Sequence, residues 1–533
     1  MKGLCRRSAL LPALLAGTAL WGQDPKQFEK KVTEFTLANG LHFIVVERHQ
    51  APVVSFRTWV DAGSVDDPAG SAGLAHMLER LAFKGTAAIG VTDGASEKRA
   101  LDAVEEIHDR LEAERNKGPR ADQARLDVLD LQLKTAINRA GAFVVPNEFS
   151  TILDANGAMG LNAATSYDHT EFQCDLPSNR LELWFLMESQ RFLSPVFREF
   201  YKELDQVLEE QRMRVESNSQ GALLQELLAA AFEAHPYHHP EIGWPSDVAN
   251  LRPADARAFF EKYYTAGNTV IAIVGDVEPA EARRLAERYF GPMPPRPAPP
   301  VLHTVESPQR GLRRVQLESP VRPLLVWGYK RPDQRDPDDP ALRLLGLILS
   351  GGRSGVLYQE LVQGQRIVLE AKALSAYPSG RYPSLFTFVL APAREHTVEE
   401  VEKALDALLT RFQARKVDDE VLNRARSSAR AGLISQLDSN QGLASLLPAY
   451  YAAFGDWRQL FTSIADLDAV TGADVERVAR KYLVPSQRTV AYVAPPAARA
   501  APAAQPTQPA PPAVPPVAPP VAPPATQPAG GRR

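Results

Sequence analysis

Short apolar runs and longer amphipathic stretches follow one another along this chain in a repeating order. Leu41–Glu47 (LHFIVVE) and Val53–Val60 (VVSFRTWV) are rich in β-branched and aromatic residues, which predicts two strands. Leu312–Leu317 (LRRVQL) and Pro323–Gly328 (PLLVWG) form a comparable pair. Each pair is followed by an apolar segment of helical length, Gly73–Phe83 and Ala341–Leu349. Farther on, KYYTAGNTVIAIVG (262–275) and KYLVPSQRTVAYVA (481–494) match in kind. Both predict a helix ending in Lys-Tyr, a turn, and an apolar strand, about Thr269–Val274 and Thr489–Val493. A helix over Pro279–Tyr289 follows the first of these strands. The repetition predicts two tandem modules.

The stretch PMPPRPAPP (292–300) holds too much proline to continue a helix. It sets the expected boundaries at 28–292 for the first module, 293–310 for a linker and 311–494 for the second. Residues 96–138 are polar and helix-like, split near Asn116–Pro119. Leu101, Val104, Ile107 and Leu111 recur at spacings of three and four on one arm, and Leu126, Leu129, Leu133 and Ile137 on the other, so a surface helical hairpin is expected. At the start, Lys2, Arg6 and Arg7 precede an apolar stretch from Ala9 to Trp21. Residues 1–22 therefore read as a signal peptide, too short for a membrane span, and predict export to the periplasm or beyond the cell with no transmembrane segment in the mature chain. At the other end, residues 495–533 are almost entirely Pro, Ala, Val, Gln and Thr, which predicts a disordered tail.

Composition narrows the function classes. A length of 533 residues allows two to four domains. A net charge of -4 gives no electrostatic case for nucleic acid binding. Two cysteines exclude a disulfide-stapled or cysteine-rich zinc architecture, and removal of a signal peptide would leave only Cys174. The chain shows no Ser-His-Asp order, Gly-rich phosphate loop or supported Cys-His pair.

One segment carries candidate chemistry. In GLAHMLERLAFKGT (73–86), His76 and Arg80 are four apart and share a helix face, with Glu79 beside them. Taken alone, a histidine in an apolar helix is usually structural, and Glu203, Glu209 and Glu210 read as a solvated acidic face. His235, His238 and His239 could ligate a metal, but their HPY-x-x-P context predicts a structured loop. His169, next to Asp168, is expected on a strand near a cleft wall.

The surroundings of this segment add specificity. NGLHFIVVE (39–47), AGSVDD (62–67), FKGT (83–86), GLNAATSYDHTEF (160–172), FYKELDQVLEE (200–210), HPYHHPEIG (235–243), YYTAGN (263–268) and VGD (274–276) stand in order, with GGRSGVLYQELV (351–362) in the second half. Together they resemble the insulinase/pitrilysin family of zinc peptidases, which includes the mitochondrial processing peptidase and carries the inverted motif His-x-x-Glu-His. The resemblance covers roughly residues 33–494. It implies an α+β fold of two tandem homologous modules of the mitochondrial processing peptidase type, each a mostly antiparallel sheet with helices on one side. The modules would face each other around a cleft lined by the 160–172 strand.

The resemblance also implies roles. His76 matches the first zinc ligand, Glu79 the carboxylate that activates a zinc-bound water, Glu210 the third ligand and Glu203 its supporting glutamate. Asn162 and Ala163 match the strand edge that pairs with an extended peptide. The second histidine of the motif is Arg80 here. A guanidinium has no lone pair to offer a metal and stays protonated. Zinc, expected for the family, is therefore expected to bind weakly or not at all, with Arg80 bridging Glu79, Glu203 or Glu210. In the second module, the positions that match the family's Arg and Tyr are Val362 and Leu369, with Arg366 off register. The expectation is a catalytically impaired or non-catalytic subunit that binds peptide or unfolded polypeptide, or that pairs with a chain carrying an intact His-x-x-Glu-His. The alternatives are an active zinc endopeptidase with an unusual ligand set and a structural envelope protein.

Overall fold

Strands of six and five form two separate sheets in the computed structural model, which describes residues 28–319 and 322–494. The expected signal peptide and Pro/Ala-rich tail lie outside the described residues. The first sheet contains β1 (Val32–Thr36), β2 (His42–Glu47), β3 (Val53–Val60), β4 (Met159–Thr165), β5 (Thr170–Pro177) and β6 (Thr269–Gly275), in the order β1-β2-β6-β3-β5-β4. The second contains β7 (Arg313–Glu318), β8 (Leu324–Arg331), β9 (Val368–Tyr377), β10 (Ser384–Pro392) and β11 (Arg488–Ala494), in the order β7-β11-β8-β10-β9.

Dropping β1 makes the two orders superimpose strand for strand. Each has one parallel pair, β2 with β6 and β7 with β11, and is otherwise antiparallel. The internal repeat in the sequence is therefore a repeat in topology. The apolar helices after each strand pair also correspond, Leu74–Leu81 in the first module and Asp339–Ser350 in the second.

The expectation of helices on one side of each sheet needs correction. β6 is buried at all seven positions, so both faces of the first sheet must be covered. Its second cover comes from the other module. The helix Asn440–Phe454 lays Leu443, Ala444 and Leu447 against Ile44, Val46, Val270 and Ala272. In return, the helix Ser219–Ala231 of the first module lays Leu223, Leu227 and Leu228 against Val326, Ala491 and Val493 of the second sheet. Each module thus lends one helix to the other.

The segment between the modules is a strap. Glu306 accepts backbone N–H bonds from Glu233, Ala234 and His235 at 2.9–3.0 Å, while buried Gln309 donates to the carbonyl of Arg488 at 2.8 Å. It is held by hydrogen bonds to both halves.

The 160–172 segment also departs from a single strand. β4 ends at Thr165, Ser166–His169 make the turn, and β5 begins at Thr170. His169 closes that turn, with its ring stacked 3.6 Å from the Trp59 ring and Nδ1 2.8 Å from the Ser166 hydroxyl. Burial, aided by Arg57 and Arg381, holds it neutral with a pKa pushed down to about 3.

Candidate functional site

The helix Leu74–Leu81 starts at a fixed point because Asp67 caps it. The Asp67 carboxylate accepts from the backbone N–H of Gly73 at 2.7 Å and of Ala75 at 2.9 Å. Gly73 has φ 97°, and a Cβ there would sit 2.6 Å from the Ile242 carbonyl, so glycine is required. One face of the helix packs Leu74, Met77, Leu78 and Leu81 into the first core. The other turns His76, Glu79 and Arg80 toward the helix Phe200–Gln211 beside it.

That second helix presents a ladder. Glu203, Gln206 and Glu210 are spaced by three and four, so they stack on one face. Arg80 spans all of it. Its Nε donates to Glu203 at 3.0 Å, Nη1 to Glu210 at 3.2 Å and Nη2 to Gln206 at 2.6 Å. Lys84, one turn beyond Arg80, adds contacts of 2.6 Å to Glu203 and 3.3 Å to Glu199. Arg214, one turn beyond Glu210, contacts its other oxygen at 2.5 Å.

His76 lies between two carboxylates. Nε2 is 3.4 Å from Glu210 and Nδ1 is 3.6 Å from Glu79. Burial pulls the imidazole pKa down, but the hydrogen bonds and charges of Glu210 and Glu79 outweigh it and raise it to about 9. His76 is therefore an imidazolium at neutral pH. Glu210 is pushed down to about 2, chiefly by His76, with Arg214 and Arg80 contributing. Glu79 does not meet Arg80. Burial alone would raise its pKa, yet His76 and Thr165 hold it below the ordinary carboxylate range. Thr165 ends β4, so Glu79 stands beside the strand that carries Asn162 and Ala163. β4 is the outer strand of its sheet, paired on one side only, and Asn162 is exposed there opposite Gln173 of β5.

These residues do not fit a catalytic zinc. Such a site needs three protein ligands and an open position. Here His76 Nε2 and a Glu210 oxygen contact each other, Arg80 binds that same oxygen, and among the described residues no third ligand atom joins them. Among the described residues, the trio of His, Cys, Asp or Glu whose ligating atoms come within 4.8 Å of one another is Glu47, His49 and Glu278, a largely exposed group at the ends of β2 and β6. It excludes His76. The histidines at 235–239 do not form a metal cluster either. His235 caps a short turn through the Tyr237 N–H at 3.2 Å, and burial pushes both His235 and His239 down to about 4.

The second-module positions stay apart from this cluster's hydrogen bonds. Val362 packs against the second core from a wide turn over Tyr358–Gly364. Leu369 lies on β9 with 54% of its surface exposed. What the second module does supply is Arg381, which sequence reasoning missed. Its backbone N–H donates to Asp168 at 3.0 Å and its guanidinium reaches Asp61 at 2.8 Å, while Tyr237 donates to the other Asp168 oxygen at 2.6 Å. This latch joins the modules at the turn that follows β4. Gln206, Lys84 and Arg214 were also missed, although helical spacing from Glu203, Arg80 and Glu210 pointed to each.

Comparison with known proteins defines the class. The family model "Insulinase (Peptidase family M16)" matches residues 43–93 and 144–243, leaving 94–143 unmatched, and "Peptidase M16 inactive domain" matches 250–429. The chain is 25% identical over 497 residues to the zinc protease PqqE of Helicobacter pylori, covering 91% of this chain and 98% of that protein. The fold matches the crystal structure of a protease from Helicobacter pylori with a TM-score of 0.73 at 24% identity, over 87% of this chain and all of that one. It also matches the periplasmic protease PqqL from Escherichia coli with a TM-score of 0.62 at 16% identity, over 87% of this chain and 48% of that one. The chain therefore has the fold of peptidase family M16 and is homologous to it. Within that family it is a metallopeptidase-like protein whose metal-binding cluster is altered. No helix of the described residues is long and apolar enough to cross a membrane.

Proposed function

We propose that this chain is a non-hydrolysing member of the M16 family, exported from the cytoplasm, that binds extended peptide along β4 and acts beside a chain with an intact His-x-x-Glu-His motif. One observation carries the reading: the Arg80 guanidinium is bound to Glu203 and Glu210 where a zinc ligand would stand. The ion network neutralises the carboxylates that a metal dication would otherwise neutralise. Glu79 then has no metal-bound water to activate, but β4 keeps an unpaired edge beside it, and such an edge can hydrogen-bond an extended chain. Asn162 and Ala163 would lie along that peptide. Val362 and Leu369 bring no polar group to a transition state, which agrees with binding without hydrolysis.

The test uses zinc titration calorimetry and a peptidase assay on the full chain. Wild type should bind zinc no tighter than the micromolar range and should not hydrolyse unfolded peptides. Arg80→His supplies the missing imidazole and removes the opposing charge, so zinc affinity should rise about 100-fold or more. Tight stoichiometric zinc in the wild type, lost on Glu210→Gln, would overturn the reading in favour of a working endopeptidase.

A further inference from the structure

Residues 94–143, which the family model leaves unmatched, fold as a helical hairpin of Gly94–Arg115 and Gln123–Gly141 set against the first module. Between the hairpin and the module lies a cavity of about 840 Å³. Leu101, Val104, Ile137, Val144, Phe197 and Phe200 give it mostly apolar walls. That size suits a small organic molecule, which such pockets orient with a few polar groups.

Most charges around the cavity are satisfied. Buried Glu97 holds Arg198 through both oxygens at 2.7 and 2.9 Å. Lys98 pairs with Asp102, and Lys202 with Glu199, each at 2.7 Å. Glu105 differs. It is half-buried in the cavity wall and accepts one hydrogen bond of 3.3 Å, from the Tyr201 hydroxyl. The neighbouring Arg252 is engaged elsewhere, with Asp109 at 2.9 Å. Arg257 turns to the Phe197 ring, 5.7 Å from its centroid. Among the described residues, no Lys, Arg or His forms an ion pair with Glu105. Burial raises its pKa, the mark of a carboxylate short of compensating charge.

We propose that this cavity binds a small ligand whose protonated amine is held by Glu105 and whose apolar body lies against Leu101, Ile137 and Phe197. The geometry favours a cation because Glu105 is, among the described residues, the one carboxylate of the wall without an ionic partner, while the Arg257 guanidinium is turned to the Phe197 ring; an amine supplies the missing partner. The site stands on residues outside the Arg80 cluster, so its success or failure is independent of the reading above.

The experiment is calorimetry on the full chain with n-decylamine, decan-1-ol and decanoate, each below its aggregation concentration. Decylamine should bind at one site, at least about tenfold tighter than the alcohol or the acid. Glu105→Gln should erase that preference, bringing decylamine down to the level of decan-1-ol. Leu101→Trp, which fills the cavity, should abolish binding of all three probes. Val144→Phe narrows the space from another wall and gives a second check should Leu101→Trp misfold. The proposal is overturned if no probe binds, if decanoate binds as tightly as decylamine, or if decylamine affinity is unchanged in Glu105→Gln and in the cavity-filling variants.

Discussion

The same structural position is ionic in one module and apolar in the other. In the first, the helix Leu74–Leu81 meets Phe200–Gln211 through His76, Arg80, Lys84 and three glutamates. In the second, the equivalent helix Asp339–Ser350 meets Asp419–Leu437 within a core of Leu342, Leu345, Leu349, Leu422 and Ala425. Both helix pairs lie against sheets with the same strand order. The fold therefore accepts leucine at this junction, and nothing in its topology demands charge. An ionic junction costs desolvation that leucines avoid, so the charges of the first module are a property of its site and not of the scaffold.

The comparison can be broken most strongly from the apolar side. Leu345→Ala removes a fully buried side chain and should cost about 2–5 kcal/mol in denaturant unfolding. A loss well below 1 kcal/mol would mean that the second junction is not held by packing. On the ionic side, Glu203→Gln takes the charge from a carboxylate that is 3% exposed and faces both Arg80 and Lys84. It should cost roughly 1–3 kcal/mol by the same measurement, less than the leucine because both cations keep other partners.

Acidity sharpens the contrast further. The His76 pKa is raised, so its stabilising contribution is fully present below about 6.5, the unfolded value, and is lost as pH rises through about 9. That loss should be on the order of 2–3 kcal/mol between pH 6.5 and 9, and His76→Gln should flatten it. On the acid side the sign reverses. His169, His235 and His239 are held neutral, so their contribution is complete above about 6.5 and falls as pH drops toward about 3 to 4. The histidine contributions taken together therefore peak near pH 6.5. Absence of a decline on the alkaline side would remove the imidazolium from the cluster. The smallest effect belongs to an exposed pair: Lys98→Ala, facing Asp102 in solvent, should change stability by no more than about 0.5 kcal/mol.

The strands and the motif helix were legible because local pattern decides them. Val270–Val274 is apolar without a break, which marks a strand covered on both faces, yet no local rule says that its cover comes from residues 440–454. Long-range partners were the hidden part. Arg80 could be predicted to meet acidic side chains, since a guanidinium among glutamates has few alternatives. Its choice of Glu203, Gln206 and Glu210 over Glu79 depends on which helix face meets which. The turn at Ser166–His169 was only partly legible: Asp168–Glu171 is four polar residues in a row, which breaks a strand's alternation, but no Gly or Pro marks the corner. Arg381 was invisible for another reason: a single arginine in a Gly- and Pro-flanked turn has no periodicity, and its meaning comes from Asp61 and Asp168 some 200–300 residues earlier.

The exchanged helices set the terms on which this chain can be divided. A fragment ending at the strap would carry the Ser219–Ala231 helix with its leucines turned to water, and β6 bare along one face. The complementary fragment would lack the cover for Val326, Ala491 and Val493. Neither half is a finished folding unit, so heat or denaturant should take both sheets apart in one transition. A single cut in the strap leaves every one of those contacts in place, and the two pieces should travel together through a sizing column as one particle.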